Sequence, residues 1–104
     1  MLIALRTWLF RPGRLHEFMA RYPGEGLPVL ARHGGELVGC YVSETGELNE
    51  VVQLWRHADA AAYERHCAAL AGDADWQAFC AFALPLVQRQ RERLLKDAPL
   101  APRP

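Results

Sequence analysis

The chain has 104 residues, which is enough for one domain built around a single hydrophobic core. Apolar residues make up 51% of it, a share that excludes an intrinsically disordered chain. Twelve basic side chains balance twelve acidic ones, so the charge argues against a nucleic-acid-binding protein or one held at anionic membranes.

The cysteines indicate a reducing compartment. Cys40, Cys67 and Cys80 are odd in number and widely spaced, which excludes a disulfide framework. Their apolar neighbours predict buried structural thiols. The first residues lack the layout of a signal peptide, and no apolar run reaches membrane-spanning length. We therefore expect a soluble cytoplasmic protein with no membrane insertion.

The first third of the chain predicts a strand followed by an interrupted helix. Residues 2–9 are apolar and β-prone, and Pro12-Gly13 follows them. A helical face comes next, breaks at Pro23-Gly24, resumes for one turn and stops at Gly34-Gly35. The residues of this interrupted face are Leu15, Phe18, Met19, Tyr22, Leu27, Leu30 and Ala31.

The middle of the chain predicts a hairpin and a second helical region. Residues 36–43 and 48–57 are β-prone, and Thr45-Gly46 between them suits a turn. Asp59 can cap a helix that ends at Gly72, and a second helix restarts at Asp73 or Asp75 and closes at Pro85. The apolar positions at helical spacing in these two helices are Tyr63, Cys67, Leu70, Trp76, Phe79, Cys80 and Ala83.

The segment after Pro85 has two interpretations. Propensity slightly favours a helix, in which Leu84, Val87, Arg91 and Leu94 would share a face. As a strand, it would place Arg89, Arg91 and Arg93 on one side and Gln88, Gln90 and Glu92 on the other. Residues 98–104 are rich in proline and predict a tail without regular structure.

This order of elements matches the ferredoxin-like β-α-β-β-α-β fold, an α+β class in which helices cover one face of a four-stranded antiparallel sheet. The aliphatic parity of the strands, which includes Ile3, Leu5, Leu9, Val52 and Leu54, is predicted to pack against the helices. The opposite parity carries Trp8 and Trp55. Because two tryptophans on a helix-free face would form a large exposed apolar patch, we expect a second copy of the chain to cover them.

The same parity supplies the candidate ligand-binding residues, which are Arg6, Trp8, Gln53, Trp55 and His57. An imidazole beside a guanidinium and an indole can hold and polarise an oxyanion in an apolar pocket. The alternative is that these side chains only fill a dimer interface. The spacing of the histidines and cysteines does not suit zinc, so no metal or cofactor is predicted, and no catalytic residue is assigned. His16 and His66 are expected to be solvated.

Several strings of the sequence resemble the NIPSNAP family, and they run in order along nearly the whole chain. They are Leu5-Arg6-Thr7, Gly26-Leu27-Pro28, residues 33–39 (HGGELVG), residues 46–49 (GELN), Leu54-Trp55-Arg56 and residues 75–79 (DWQAF). The resemblance implies that residues 1–97 form a dimeric α+β barrel, in which two four-stranded sheets face each other around a cavity. It also implies that the segment after Pro85 is a strand.

The leading functional hypothesis is a homodimer that binds a small, partly hydrophobic molecule in the cavity between its sheets. One alternative is a cofactor-independent enzyme of an oxygenase-like or isomerase-like kind, by analogy of fold alone. Another is a structural or interaction protein whose interface is filled by side chains.

Overall fold

A computed structural model describes residues 1–100, so the end of the proline-rich tail predicted for residues 98–104 lies outside the described residues. The first half contains β1 (Leu2–Phe10), α1 (Leu15–Arg21), a π-helical turn (Tyr22–Gly26), α2 (Leu27–Arg32) and β2 (Glu36–Val42). The second half contains β3 (Glu50–His57), α3 (Ala60–Ala71), α4 (Ala74–Ala83), a 3₁₀ turn (Leu84–Leu86) and β4 (Val87–Lys96). Within residues 1–100, no helix has the length and apolarity needed to cross a membrane.

The four strands form one antiparallel sheet in the order β2-β3-β1-β4. The register places Arg6 of β1 opposite Gln53 of β3 on one side and opposite Glu92 of β4 on the other. Side chains directly opposite each other in an antiparallel pair share a face, so these three form a polar row across the sheet. The predicted α+β, ferredoxin-like fold is confirmed.

The segment after Pro85 is a strand, so the helix favoured by propensity is wrong and the strand implied by the family resemblance is correct. β4 pairs with β1 from Leu2 opposite Lys96 to Phe10 opposite Val87. Helix propensities differ by only a few tenths of a kcal/mol per residue among ordinary side chains. A full ladder of hydrogen bonds to a neighbouring strand outweighs such a preference.

The predicted assignment of the two sheet faces is wrong. Trp8 and Trp55 are only 8% and 1% exposed, and they belong to the core beneath the helices. The ring of Trp8 lies 5.0 Å from that of Phe18 and 6.0 Å from that of Tyr22, measured between centroids. The reason is volume, because wide aromatic rings fill the space between a sheet and curved helices better than a row of aliphatic side chains.

The aliphatic parity therefore forms the outer face of the sheet. In β3 buried and half-buried residues alternate strictly, with Val52 and Leu54 among the half-buried ones. Ile3 and Leu5 of β1 are half-buried on the same face, since they pair with Arg56 and Leu54. No helix within residues 1–100 shields this face, so an aliphatic patch at its centre remains in contact with solvent, with the arginines of β4 beside it.

Glycines permit the close approach of helix and sheet at two points. A Cβ on Gly26, in the π-helical turn, would lie 2.7 Å from the ring of Tyr22 and 2.8 Å from that of Phe79. A Cβ on Gly35 would lie 2.8 Å from the ring of Trp55. Both distances are shorter than a van der Waals contact, so these positions need glycine for packing.

The thiols are less buried than predicted. Cys40 is exposed, whereas Cys67 and Cys80 are half-buried, and all three are free. Cys40 is exposed because β2 is the edge strand of the sheet, so it has a neighbouring strand on one side only. The prediction of buried thiols is therefore wrong for Cys40.

Candidate functional site

A pocket of about 440 Å³ opens between α4 and the strands β1 and β4. Most of its wall is apolar and aromatic, formed by Trp8, Trp76, Phe79, Ala83, Leu84 and Val87. The rings of Trp76 and Phe79 are stacked, with centroids 5.9 Å apart, because positions i and i+3 of a helix share a face. A volume of this size and a mostly apolar lining are common among small-molecule pockets.

Asp73 fixes the position of α4 beside the sheet. Its carboxylate accepts hydrogen bonds from the backbone nitrogens of Asp75 (2.8 Å) and Trp76 (3.2 Å), and so caps the helix. It also binds the side chains of His33 and Arg32, both at 2.6 Å. These two hydrogen bonds hold the pKa of Asp73 well below its usual range. The start of α4 is thereby tied to the end of α2.

The inner end of the pocket is polar. The Nε of Arg6 donates a hydrogen bond to Oε2 of Glu92 at 2.6 Å, and the hydroxyl of Tyr63 donates to Oε1 of the same carboxylate. Within residues 1–100, Nε is the only nitrogen of Arg6 that is hydrogen-bonded. The side chain of Arg6 is 12% exposed, and it lines the pocket together with Gln90, Arg91 and Glu92.

Gln53 lies next to Arg6 in the register and is completely buried. Its Oε1 accepts hydrogen bonds from the hydroxyl of Tyr22 (2.5 Å) and from Nε1 of Trp55 (3.0 Å). Two donors on one oxygen fix the orientation of the amide. Its Nε2 then has no acceptor within the described part of the chain, which is uncommon for a buried donor.

His57 of β3 and His66 of α3 form a buried pair between the strand and the helix. Their ring centroids are 4.8 Å apart, and His57 also packs against the edge of Tyr63 at 5.3 Å. Nδ1 of His66 donates to the backbone oxygen of His33 at 2.8 Å. Burial lowers the pKa of both imidazoles, so both are neutral near pH 7. The expectation that His66 is solvated is therefore wrong.

The five predicted site residues share one face of the sheet, but the structure brings only Arg6 and Trp8 to the pocket. Gln53 lies behind Arg6, whereas Trp55 and His57 are core residues that do not line it. Sequence reasoning missed Glu92 and Trp76 as site residues. The spacing of Trp76 and Phe79 gave a signal for one wall, and the strand interpretation of β4 already placed Gln90 and Glu92 on a common side.

The fold and the pocket define a class of protein: a small ferredoxin-like α+β domain with an aromatic pocket between its sheet and its helices. The sequence model of the NIPSNAP family matches residues 3–102. The chain belongs to the NIPSNAP family.

Two relatives show how this domain occurs elsewhere. The chain is 32% identical to a solved NIPSNAP domain protein from Burkholderia xenovorans, with a TM-score of 0.89 over 99% of this chain and 100% of that one. It is 30% identical over 102 residues to Protein NipSnap homolog 2 of Danio rerio, an alignment that covers 92% of this chain and 34% of that protein. The chain thus spans about a third of the length of this curated relative.

The fold extends beyond the family. A putative antibiotic biosynthesis monooxygenase from Nitrosomonas europaea superposes with a TM-score of 0.72 over 93% of this chain and 98% of that one. The two are only 7% identical, so the likeness concerns the fold alone.

Proposed function

We propose that this protein is a homodimeric domain that binds a small, partly apolar molecule in the pocket between α4 and the sheet. The observation that carries the proposal is the combination of an aromatic wall with an arginine whose terminal nitrogens have no acceptor within residues 1–100. An aromatic wall binds an apolar body, and a few oriented polar groups at one end give specificity.

The outer face of the sheet supports self-association. Ile3, Leu5, Val52 and Leu54 form an aliphatic surface at the centre of that face. A domain of this size gains stability when such a surface is covered. A second copy presents the same face, which is the self-complementary arrangement of a two-fold dimer. The interface would bury more than about 1,000 Å² in total.

Ligand binding in the pocket and dimerisation through the outer face can be tested separately. The pocket lies on the helix-covered side of the sheet within one protomer, whereas the dimer surface lies on the outer side. Binding therefore does not require residues from the partner subunit. This pocket, one in each protomer, differs from the cavity between two sheets that the family resemblance implies.

The test uses two probes of the same shape, 2-naphthoate and 2-naphthamide, with binding followed by calorimetry and by the NMR signals of the tryptophan indoles. We expect at least one probe to bind and to shift the signals of Trp8 and Trp76. Leu84 lines the pocket and is exposed, so Leu84→Trp should fold normally and obstruct the site. The affinity should then fall by about tenfold or more.

Leu48→Trp is the matched control, because Leu48 is an exposed leucine outside the pocket. This variant should bind the probes as the wild type does. If neither probe binds, or if the two variants lose the same amount of affinity, the assignment of the pocket is contradicted.

A further inference from the structure

We infer that the pocket's ligand is an organic carboxylate, whose carboxylate group binds the terminal nitrogens of Arg6 at the inner end. This inference rests on the proposed function, because it assigns a chemical class to the molecule bound in the same pocket.

Both carboxylate oxygens of Glu92 accept hydrogen bonds from the protein itself. Its Oε2 accepts from Nε of Arg6, and its Oε1 accepts from the hydroxyl of Tyr63. Both oxygens of the one acid in the pocket wall are therefore already engaged. A guanidinium has five N–H donors arranged as a planar fork, and within residues 1–100 only the Nε–H of Arg6 is used. A second carboxylate is the group that matches such a fork.

Gln53, the neighbour of Arg6 in the sheet, also has a donor without an acceptor in the described part of the chain. The amide is fully buried, and Tyr22 and Trp55 fix its oxygen, so its Nε2 donates to nothing within residues 1–100. Gln53 lies directly opposite Arg6 across the β1–β3 pair. A donor unused by the described residues therefore lies behind Arg6, although Gln53 itself does not line the pocket. A ligand that accepts hydrogen bonds can satisfy the terminal nitrogens of Arg6, whereas a ligand that only donates them cannot.

The charge and the shape of the pocket restrict the chemical class of its ligand further. Arg91 lies opposite Thr7 and so belongs to the outer face of the sheet, whereas the charges of Arg6 and Glu92 on the pocket side cancel each other. A monoanion therefore adds one negative charge to a partly apolar site and a doubly charged phosphate adds two, so the smaller cost of burial favours the monoanion. The rest of the wall is aromatic, so the body of the ligand is flat and apolar.

The experiment compares 2-naphthoate with 2-naphthamide, which differ in charge but little in shape, at pH 7.5 by calorimetry. We expect the wild type to bind the carboxylate about tenfold or more tightly than the amide. In Arg6→Gln this preference should fall to about twofold or less, because the fork is lost. Arg93→Gln removes the same charge from the neighbouring strand β4, outside the pocket, and should keep the preference.

A second variant, Arg6→Lys, tests the inference even if Arg6→Gln fails to fold. Arg6→Lys can still pair with Glu92, but one ammonium cannot serve Glu92 and a ligand in the geometry of a fork. The preference should therefore drop by about fivefold or more while the fold survives. Equal binding of the two probes by the wild type would overturn the inference and leave the proposed function intact.

Two other outcomes would contradict the assignment of the carboxylate to Arg6 or the proposed function itself. A preference lost in Arg91→Gln but retained in Arg6→Gln would place the carboxylate at the rim and overturn its assignment to Arg6. The absence of binding by either probe would instead be the failure of the proposed function, on which the inference depends.

Discussion

The hydroxyl of Tyr22 donates a hydrogen bond of 2.5 Å to the side-chain oxygen of Gln53, which lies 31 positions later in the chain. Tyr22 begins the π-helical turn and Gln53 is in the middle of β3, so this buried bond joins the helical layer to the sheet. Burial raises the pKa of Tyr22, and the phenol therefore keeps its proton and acts as the donor.

Removing this donor should destabilise the domain measurably. In Tyr22→Phe the oxygen of Gln53 keeps only its bond from Trp55, and we expect the free energy of unfolding to fall by about 1–3 kcal/mol. Urea titration followed by circular dichroism measures the change. Tyr41→Phe is the matched control, because Tyr41 is exposed, and it should change stability by less than about 0.5 kcal/mol. Equal effects of the two variants would refute a structural role for the bond.

The π-helical turn should not tolerate a methyl group at Gly26. A Cβ there would meet the buried rings of Tyr22 and Phe79, so Gly26→Ala should lower the free energy of unfolding by about 1–3 kcal/mol. At Gly39 the nearest atoms belong to the outer end of the exposed Tyr41 side chain, which can rotate away. Gly39→Ala should therefore be close to neutral. Thermal unfolding of both variants measures the difference. An unchanged stability of Gly26→Ala would contradict the prediction and would mean that the rings of Tyr22 and Phe79 can move aside.

The buried histidine pair predicts that the protein loses stability in mild acid. An unfolded histidine takes up its proton near pH 6.5, whereas His57 and His66 have lowered pKa values because they are buried. The unfolded state therefore binds more protons below pH 6.5, so stability is full above that pH and falls as the pH drops through and below it. The urea midpoint should decrease steadily from pH 7.5 to pH 5.

Two variants test the source of this pH dependence. His66→Gln removes one of the two buried imidazoles and should flatten the decrease between pH 7.5 and pH 5. His16 is exposed, and His16→Gln should leave the slope unchanged. A wild-type midpoint that stays constant over this range would contradict the argument, as would an equal change of slope in both variants.

The proposed dimer predicts a specific weak point on the outer face of the sheet. Leu54 lies opposite Leu5 on that face and away from the helices, so Leu54→Arg should leave the fold intact and place a charge in the interface. Sedimentation equilibrium at micromolar concentration should show twice the chain mass for the wild type and the chain mass for the variant. Leu48→Arg, at an exposed loop position, should remain dimeric. A monomeric wild type would disprove the dimer.

Much of the fold could be predicted from local patterns. Val51 to His57 alternate in burial as the strand pattern requires, and Asp59 caps α3 through the backbone nitrogen of Ala62 at 2.8 Å. Gly72 lies at the end of α3, and Asp73 caps α4. These features depend on residues that are close together in the chain, so they can be predicted from the sequence alone. The grouping of Arg6, Trp8 and Gln53 on one face follows from strand periodicity in the same way.

Only the tertiary structure decided which face the helices cover. Periodicity separates Trp8 from Leu9 but does not distinguish two apolar faces, and the choice depends on how rings from α1 and α4 fill the space above the sheet. It also decided that residues 87–96 pair with β1 against their helix propensity, which brings Glu92 to Arg6 across 86 positions of the chain. The pocket results from these long-range contacts, because its lining residues come mostly from β1, α4 and β4, and β1 is distant in the chain from the other two and meets them only in the folded domain.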